Sequence, residues 1–318
     1  MKKLLCIVTI LTMSFLTACN TPAAVQTTSE TTTQAATTKT PASESSETSI
    51  SASKNDNGNG SLIESVAESS KNTAKYSYGV FLSVEKNIER LKDYETVVID
   101  AQHFSKKQIE AFKSKGHKVY SYINVGSLEN FRSYYKDYKD LKLGKYEHWD
   151  EEIWIDVSNS RWQEFIIGKM IPELTGKGID GFFVDNCDVY YNFPTPAILN
   201  GLTTIMKALV NTGKAVLING GDCYLDAYCK SGGSWNDVIT GINQETVFSK
   251  IIWNKNKFGK ASSEDHKYFV NYIERYAKLG ADIYLLEYTK DKKLIKQIES
   301  YCKKKGFGYY VSDSIELD

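Results

Sequence analysis

From Tyr76 onward, short apolar runs rich in β-branched and aromatic residues alternate with helical patterns, and the alternation recurs eight times. The runs are Tyr78 to Leu82, Thr96 to Ala101, Lys118 to Val125, Gly181 to Asn186, Ala215 to Gly220, Val238 to Glu245, Asp282 to Tyr288 and Phe307 to Ser312. Eight such units in about 240 residues match the size of a closed (β/α)8 TIM barrel. An open doubly wound sheet would more often carry a Gly-rich phosphate turn after its first strand, and none follows Leu82. A ninth run, Ile153 to Val157, follows a polar, aromatic-rich stretch from Ser127 to Glu152. It reads as part of an extended loop over the barrel mouth. Ser105 to Gln108 has the form of a helix-opening capping box, a helix is expected from about Arg161 to Thr175, and Leu294, Ile295, Ile298, Tyr301 and Cys302 form one apolar helical stripe.

The segment before the barrel has a different character. Only Phe15, of all the Phe, Trp and Tyr residues, precedes Tyr76. Lys2 and Lys3 followed by the apolar stretch Leu4 to Ala18 read as an export signal over residues 1–18. Leu16-Thr17-Ala18-Cys19 resembles a bacterial lipobox, so Cys19 is the expected lipidation site and the protein is expected to be extracytoplasmic, lipid-anchored at the cell membrane. Residues 19–73 are rich in Thr, Ser and Ala. Such a composition cannot bury enough apolar surface to fold, and reads as a disordered tether spanning on the order of 40 Å. The folded domain is thus expected at 74–318.

Acidic and basic side chains balance at 39 each, which gives no electrostatic argument for a nucleic-acid partner. The four histidines, His103, His117, His148 and His266, lack zinc-ligand spacing, so no metal and no cofactor is expected, and there is no Gly-x-Ser-x-Gly for serine-hydrolase chemistry. Cys187, Cys223, Cys229 and Cys302 allow three full disulfide pairings, none of which the spacing selects. A monomer is expected.

In a barrel of this kind, chemistry sits at the C-terminal ends of the strands. Those ends carry Asp100, Asn124, Asp185 with Asn186 and Asp188 beyond it, Asn219, Glu245 and Glu287. A ring of carboxylates with aromatics nearby suits glycosidic bond cleavage, in which one carboxyl protonates the leaving oxygen and the other attacks or stabilises the oxocarbenium-like centre. Asp185 and Glu245, on strands about 10 Å apart, are the expected catalytic pair.

At these residues the chain resembles the endo-alpha-1,4-polygalactosaminidases, glycoside hydrolase family 114, from about Tyr76 to the C-terminus. Tyr122-Ile-Asn-Val-Gly-Ser-Leu-Glu129 with Arg132 resembles the family's third-strand motif, and Trp154-Ile-Asp156 its loop motif. Ile179-Asp-Gly-Phe-Phe-Val-Asp-Asn-Cys-Asp188 resembles the fourth-strand motif. Asn243-Gln-Glu245 with Phe248 matches the sixth, and Glu287-Tyr288 the seventh. The resemblance implies cleavage within a polymer of alpha-1,4-linked galactosamine, with Asp185 and Glu245 catalytic. Together with the strand-end residues Asn124 and Asn219, it gives an expected substrate-binding mouth that includes Asp100, Tyr122, Asp156, Asp188, Glu287 and Tyr288. Asp100, Asp156, Asp188 and Glu287 would face the sugar's ammonium groups, and Tyr122, Trp154, Tyr190 and Tyr288 its ring faces. Two rivals remain: a carbohydrate-binding lipoprotein that does not cleave, and a hydrolase of another exported or wall polysaccharide.

Overall fold

The computed structural model describes residues 74–147 and 149–318. The signal segment, Cys19 and the tether lie outside the described residues. Within them, β1 (Tyr76–Phe81), β2 (Tyr94–Ile99), β3 (Lys118–Asn124), β4 (Gly181–Asp185), β5 (Ala215–Asn219), β6 (Gly241–Glu245), β7 (Asp282–Tyr288) and β8 (Gly308–Ser312) form one eight-stranded sheet in chain order. Every adjacent pair is parallel. The sheet curls until β8 returns beside β1, where the Phe81 and Tyr310 rings stand 5.1 Å apart. The eight-unit pattern is thus a nearly closed (β/α)8 barrel.

Strand alternation divides the core in two. Tyr78, Val80, Val98, Tyr120, Tyr122, Phe183, Leu217, Leu286 and Tyr288 pack together as one cluster, the barrel interior. The residues between them, such as Val97, Ile99, Val119, Phe182, Val184, Val216, Ile218, Ile242, Ile283 and Leu285, join the layer beneath the helices. Helices at Lys106–Lys113, Pro196–Val210, Asp222–Lys230, Ser263–Lys278 and Lys292–Lys305 cover the outside. Ser105 and Gln108 form the expected capping box. Leu294, Ile298 and Cys302 are the buried edge of the last helix, with Ile295 and Tyr301 at its margin. The helix between β3 and β4 runs Ser160–Phe165, passes through a π turn at Ile166–Met170 and continues over Ile171–Gly176. Between β1 and β2 there is only a 3-10 turn, Ile88–Leu91.

Two insertions rise over the C-terminal mouth. The ninth run is no barrel strand: Glu152–Ile155 is the centre of a small antiparallel sheet, flanked by Ser127–Glu129 and Lys142–Lys145. The second insertion, after β6, is a hairpin of Ser249–Ile252 with Lys257–Lys260. Trp149 of the first meets Trp253 of the second, edge to face, with ring centroids 5.8 Å apart.

Gly126, where the chain leaves β3, has no room for a side chain, because a Cβ there would stand 1.8 Å from the carbonyl oxygen of Asn186. Gly126→Ala therefore displaces the end of β4. The expected cost is about 1–3 kcal/mol of stability, the usual range for overpacking, read as a lower urea midpoint. An unchanged midpoint would contradict this close approach.

Candidate active site

Interior register carries the polar strand ends to a common point. Asp185 follows Phe183 by two residues, Asn219 follows Leu217, and Tyr288 follows Leu286, so each continues an interior-facing row at the rim. Asn243 and Glu245 share that face of β6. The Asn219 side chain stands between the two acids, and its Nδ2 donates to Asp185 Oδ1 at 3.0 Å and to Glu245 Oε1 at 3.0 Å. Tyr288 donates its hydroxyl to the other oxygen of Glu245 at 2.9 Å. Beneath them, Asn243 Nδ2 donates to Asn219 Oδ1 at 2.7 Å, and the Tyr78 hydroxyl donates to Asn243 Oδ1 at 3.1 Å. Both acids are only 2% exposed.

The residue after each of the three adjacent strand ends is left-handed: Asn186 (φ 65), Gly220 (φ 66) and Thr246 (φ 53). Asparagine and glycine tolerate this conformation, but a β-branched threonine does not, and such a residue costs on the order of 1–3 kcal/mol. Thr246 is also buried, with no hydrogen-bond partner for its Oγ1.

A second polar network lies on the β3 side. Asn124 Nδ2 donates to Ser127 Oγ at 2.7 Å and lies 3.4 Å from Glu152 Oε1, while Asn186 Nδ2 donates to the same serine at 3.0 Å. Tyr146 donates to Asn186 Oδ1 at 2.8 Å and stacks on Trp154, centroids 4.3 Å apart. The Tyr122 hydroxyl donates to Glu129. Arg132 bonds Glu129 at 3.1 Å and Asp100 at 2.6 Å, all three side chains being buried.

The expected site residues therefore separate. Asp185, Asn219, Glu245 and Tyr288 come into direct contact, with Asn124 paired to Asp185 in the β3–β4 register. Tyr190 is half-buried beside them in sequence, on the turn after β4. Three of the acids expected to face ammonium groups are differently placed. Asp100 is fully buried against Arg132 and caps the 3-10 turn Ala101–His103. Asp156 accepts from the amide and hydroxyl of Ser158 and so closes its own turn. Glu287 is out of phase with the interior row, since Ile283 and Leu285 share its parity and lie in the outer layer. Its carboxyl accepts from the Phe248 amide at 2.9 Å, the Ser249 amide at 2.8 Å and the Ser249 hydroxyl at 2.5 Å. Asp188, beyond the strand, is half-buried. Trp154 is buried under Tyr146 rather than open at the rim.

Several members of the site are absent from the strand-end census. Asn243 lies two residues before Glu245, so period-two alternation on β6 was the signal for it. Tyr78 opens the interior row of β1. Glu152 is hidden in an acidic run, and only the insertion sheet brings it to the rim. Among the described residues, no group of three or more His, Cys, Asp or Glu side chains is arranged to hold a metal ion, and all four cysteines are free thiols.

Burial governs the titration of these acids. It pushes Glu245 up to about 8, an effect that the Asn219 and Tyr288 hydrogen bonds restrain and the Asp185 charge reinforces. Burial likewise lifts Glu287 to about 7, against the amide donors that favour its charge. Glu152 is held well above the usual carboxylate range by burial and then by Glu129 and Asp185. Asp188 is raised by burial and then by Asp222 and Asp185. Groups with a raised folded-state pKa bind more protons folded than unfolded, so their contribution to stability is lost as pH climbs from about 4.5 to about 8. The melting temperature should therefore fall between about pH 5 and about pH 8.5, and Glu245→Gln should flatten part of that slope. A melting temperature that rises across the window would refute the assignment.

The sequence model of glycoside-hydrolase family GH114 matches residues 63–315. Solved structures agree at the level of fold. The glycoside hydrolase domain of PelA from Pseudomonas aeruginosa superposes with a TM-score of 0.63 at 15% identity, covering 76% of this chain and 96% of that one. Aspergillus fumigatus Ega3, solved in complex with galactosamine, superposes with a TM-score of 0.58 at 16% identity, covering 78% of this chain and 93% of that one. No curated protein matches the chain. With a matching model over most of its length and the barrel that goes with it, the chain belongs to glycoside-hydrolase family GH114 and is a glycoside hydrolase.

Proposed function

We propose that this enzyme hydrolyses a polysaccharide containing alpha-1,4-linked galactosamine, with Asp185 as nucleophile and Glu245 as general acid and base. The observation that carries the reading is the single Asn219 nitrogen bonded to one oxygen of each acid. Two amide hydrogens diverge by roughly 120°, so oxygens each 3.0 Å from that nitrogen stand about 5 Å apart. Retaining glycosidases hold their carboxyls about 5–5.5 Å apart, whereas inverting ones need about 6.5–9.5 Å for an intervening water. The geometry thus favours a double displacement that retains anomeric configuration.

Glu245, protonated at neutral pH, gives its proton to the glycosidic oxygen as the Asp185 carboxylate attacks C1, forming a glycosyl ester and releasing the first sugar fragment. Glu245, now a carboxylate, takes a proton from water, which attacks C1 and frees Asp185. One water is consumed and both carboxyls return to their starting states. An amino sugar as substrate draws support from the family, from the galactosamine bound to Ega3, and from the acids Glu152 and Asp188 around Asp185. The lipobox-like Leu16 to Cys19 supports display of the enzyme outside the membrane on a lipid anchor at Cys19. No helix among the described residues is long and apolar enough to cross a membrane.

Four outcomes test this reading. Asp185→Asn and Glu245→Gln should each lower turnover of a galactosamine polymer by about 10²–10⁴-fold, in an assay of new reducing ends. Wild-type turnover in either variant would remove that residue from the mechanism. Activity should decline above about pH 8 as Glu245 loses the proton it must donate. Proton NMR of the first-formed product should show the alpha anomer, and a beta product would displace Asp185 as nucleophile. Fatty-acid label should enter the full chain and be lost in Cys19→Ala.

A further inference from the structure

The Asn219 amide works only one way round. Its oxygen and nitrogen ends are nearly isosteric, so a half-turn about the last side-chain bond costs little in shape. Turned over, Asn219 would present an acceptor where the Asp185 carboxylate requires a donor. The bonds to Asp185 and Glu245 alone do not hold it, because a protonated Glu245 can donate to an amide oxygen instead. Something on the far side must fix the polarity.

We propose that Asn243 and Tyr78 are positioning residues that set the orientation of the Asn219 amide and so keep its nitrogen between the two acids. The inference rests on the two-carboxylate reading of the site. Every bond in the chain runs in one direction: Tyr78 donates to Asn243, Asn243 donates to Asn219, and Asn219 donates to Asp185 and Glu245. Reversing Asn219 requires Asn243 to reverse as well, or two amide nitrogens, both donors, meet at the present 2.7 Å contact. Reversing Asn243 turns its nitrogen toward Tyr78, so the phenol must give up its acceptor. Tyr78 is fully buried in the apolar interior, with the Tyr284 ring 4.4 Å away. A phenol proton stranded there costs about 1–3 kcal/mol, enough to bias the whole chain one way. A hydroxyl on β1 thereby acts across the barrel on a pair of acids on β4 and β6.

The charged and titratable groups facing Glu245 are Asp185 from β4, Tyr288 from β7 and Tyr78 from β1, and the Glu287 charge acts on it from the opposite face of β7. The Asn219 and Tyr288 hydrogen bonds hold its pKa down. Losing the correct Asn219 orientation therefore moves Glu245 upward. The test uses the full chain with carboxyl-labelled glutamate, following Glu245 by ¹³C NMR and assigning its signal by its absence in Glu245→Gln. Wild-type Glu245 should titrate near about 8. Tyr78→Phe, which removes one oxygen and keeps the ring, and Asn243→Leu, which keeps the shape but bonds nothing, should both shift the midpoint up by roughly half a unit or more. On substrate, both should lower kcat by about 10-fold with KM nearly unchanged and move the alkaline limb in the same direction. A Tyr78→Phe protein that melts like wild type and titrates like wild type would overturn the proposal. Because the NMR titration needs no substrate, it reads the positioning role even if the galactosamine reading fails.

Discussion

Two buried carboxyl groups bonded to one amide nitrogen repel when both are charged, and the fold must supply a donor between them. Asn219 is that donor. Its position on β5, the strand between the two that carry Asp185 and Glu245, makes the bridge possible. One side chain on the middle strand reaches both neighbours because adjacent strands lie about 4.8 Å apart. The bridge is neutral, so it fixes the spacing of the acids without cancelling the charge on either. A lysine or arginine in the same place would favour the ionised form of both acids and oppose the upward shift that burial gives Glu245.

Register makes the bridge, and register also explains which acids are excluded from it. A one-residue change in phase sends a side chain to the opposite face of a strand. Glu287 and Tyr288 are adjacent in sequence, yet Tyr288 donates to Glu245 while Glu287 faces the outer layer. There, Glu287 gathers the amides of Phe248 and Ser249 and the Ser249 hydroxyl. Ser249 Oγ in turn accepts from the Tyr288 amide at 3.0 Å. The acid that does not enter the mouth ties the segment after Glu245 to the strand that carries Tyr288.

The barrel was legible because its signal is periodic and long: eight apolar runs at strand length, with caps such as Ser105 to Gln108 where they were expected. The rim positions of Asp185 and Glu245 were legible because each ends its strand in phase with the interior-facing row. Partnership between distant residues was not. Nothing local to Asp100 announces that Arg132, in a separate segment, neutralises it, and nothing in Asp150-Glu151-Glu152 marks the third residue as the one turned inward. Ile153 to Val157 has the composition of a strand and forms one, but in the insertion sheet, since its antiparallel partners lie within the same connection. The placement of Glu287 is legible in another way, since it shares its parity with Ile283 and Leu285 and so falls on the outer face of β7.

Thr246 connects these themes. A left-handed β-branched residue immediately after Glu245 is costly, and its hydroxyl is buried without a partner. The cost is offset by what the turn permits. Thr246 donates its amide to Leu286 at 2.9 Å, and the reversed direction of the chain delivers Phe248 and Ser249 to Glu287 three bonds at a time. A regular continuation of β6 would carry those donors past Glu287 and leave a carboxyl buried with nothing to hold its charge, an arrangement costlier than one strained residue. The local strain at Thr246 and the burial of Glu287 are therefore one structural solution, and it fixes the backbone on which Glu245 is mounted from both sides.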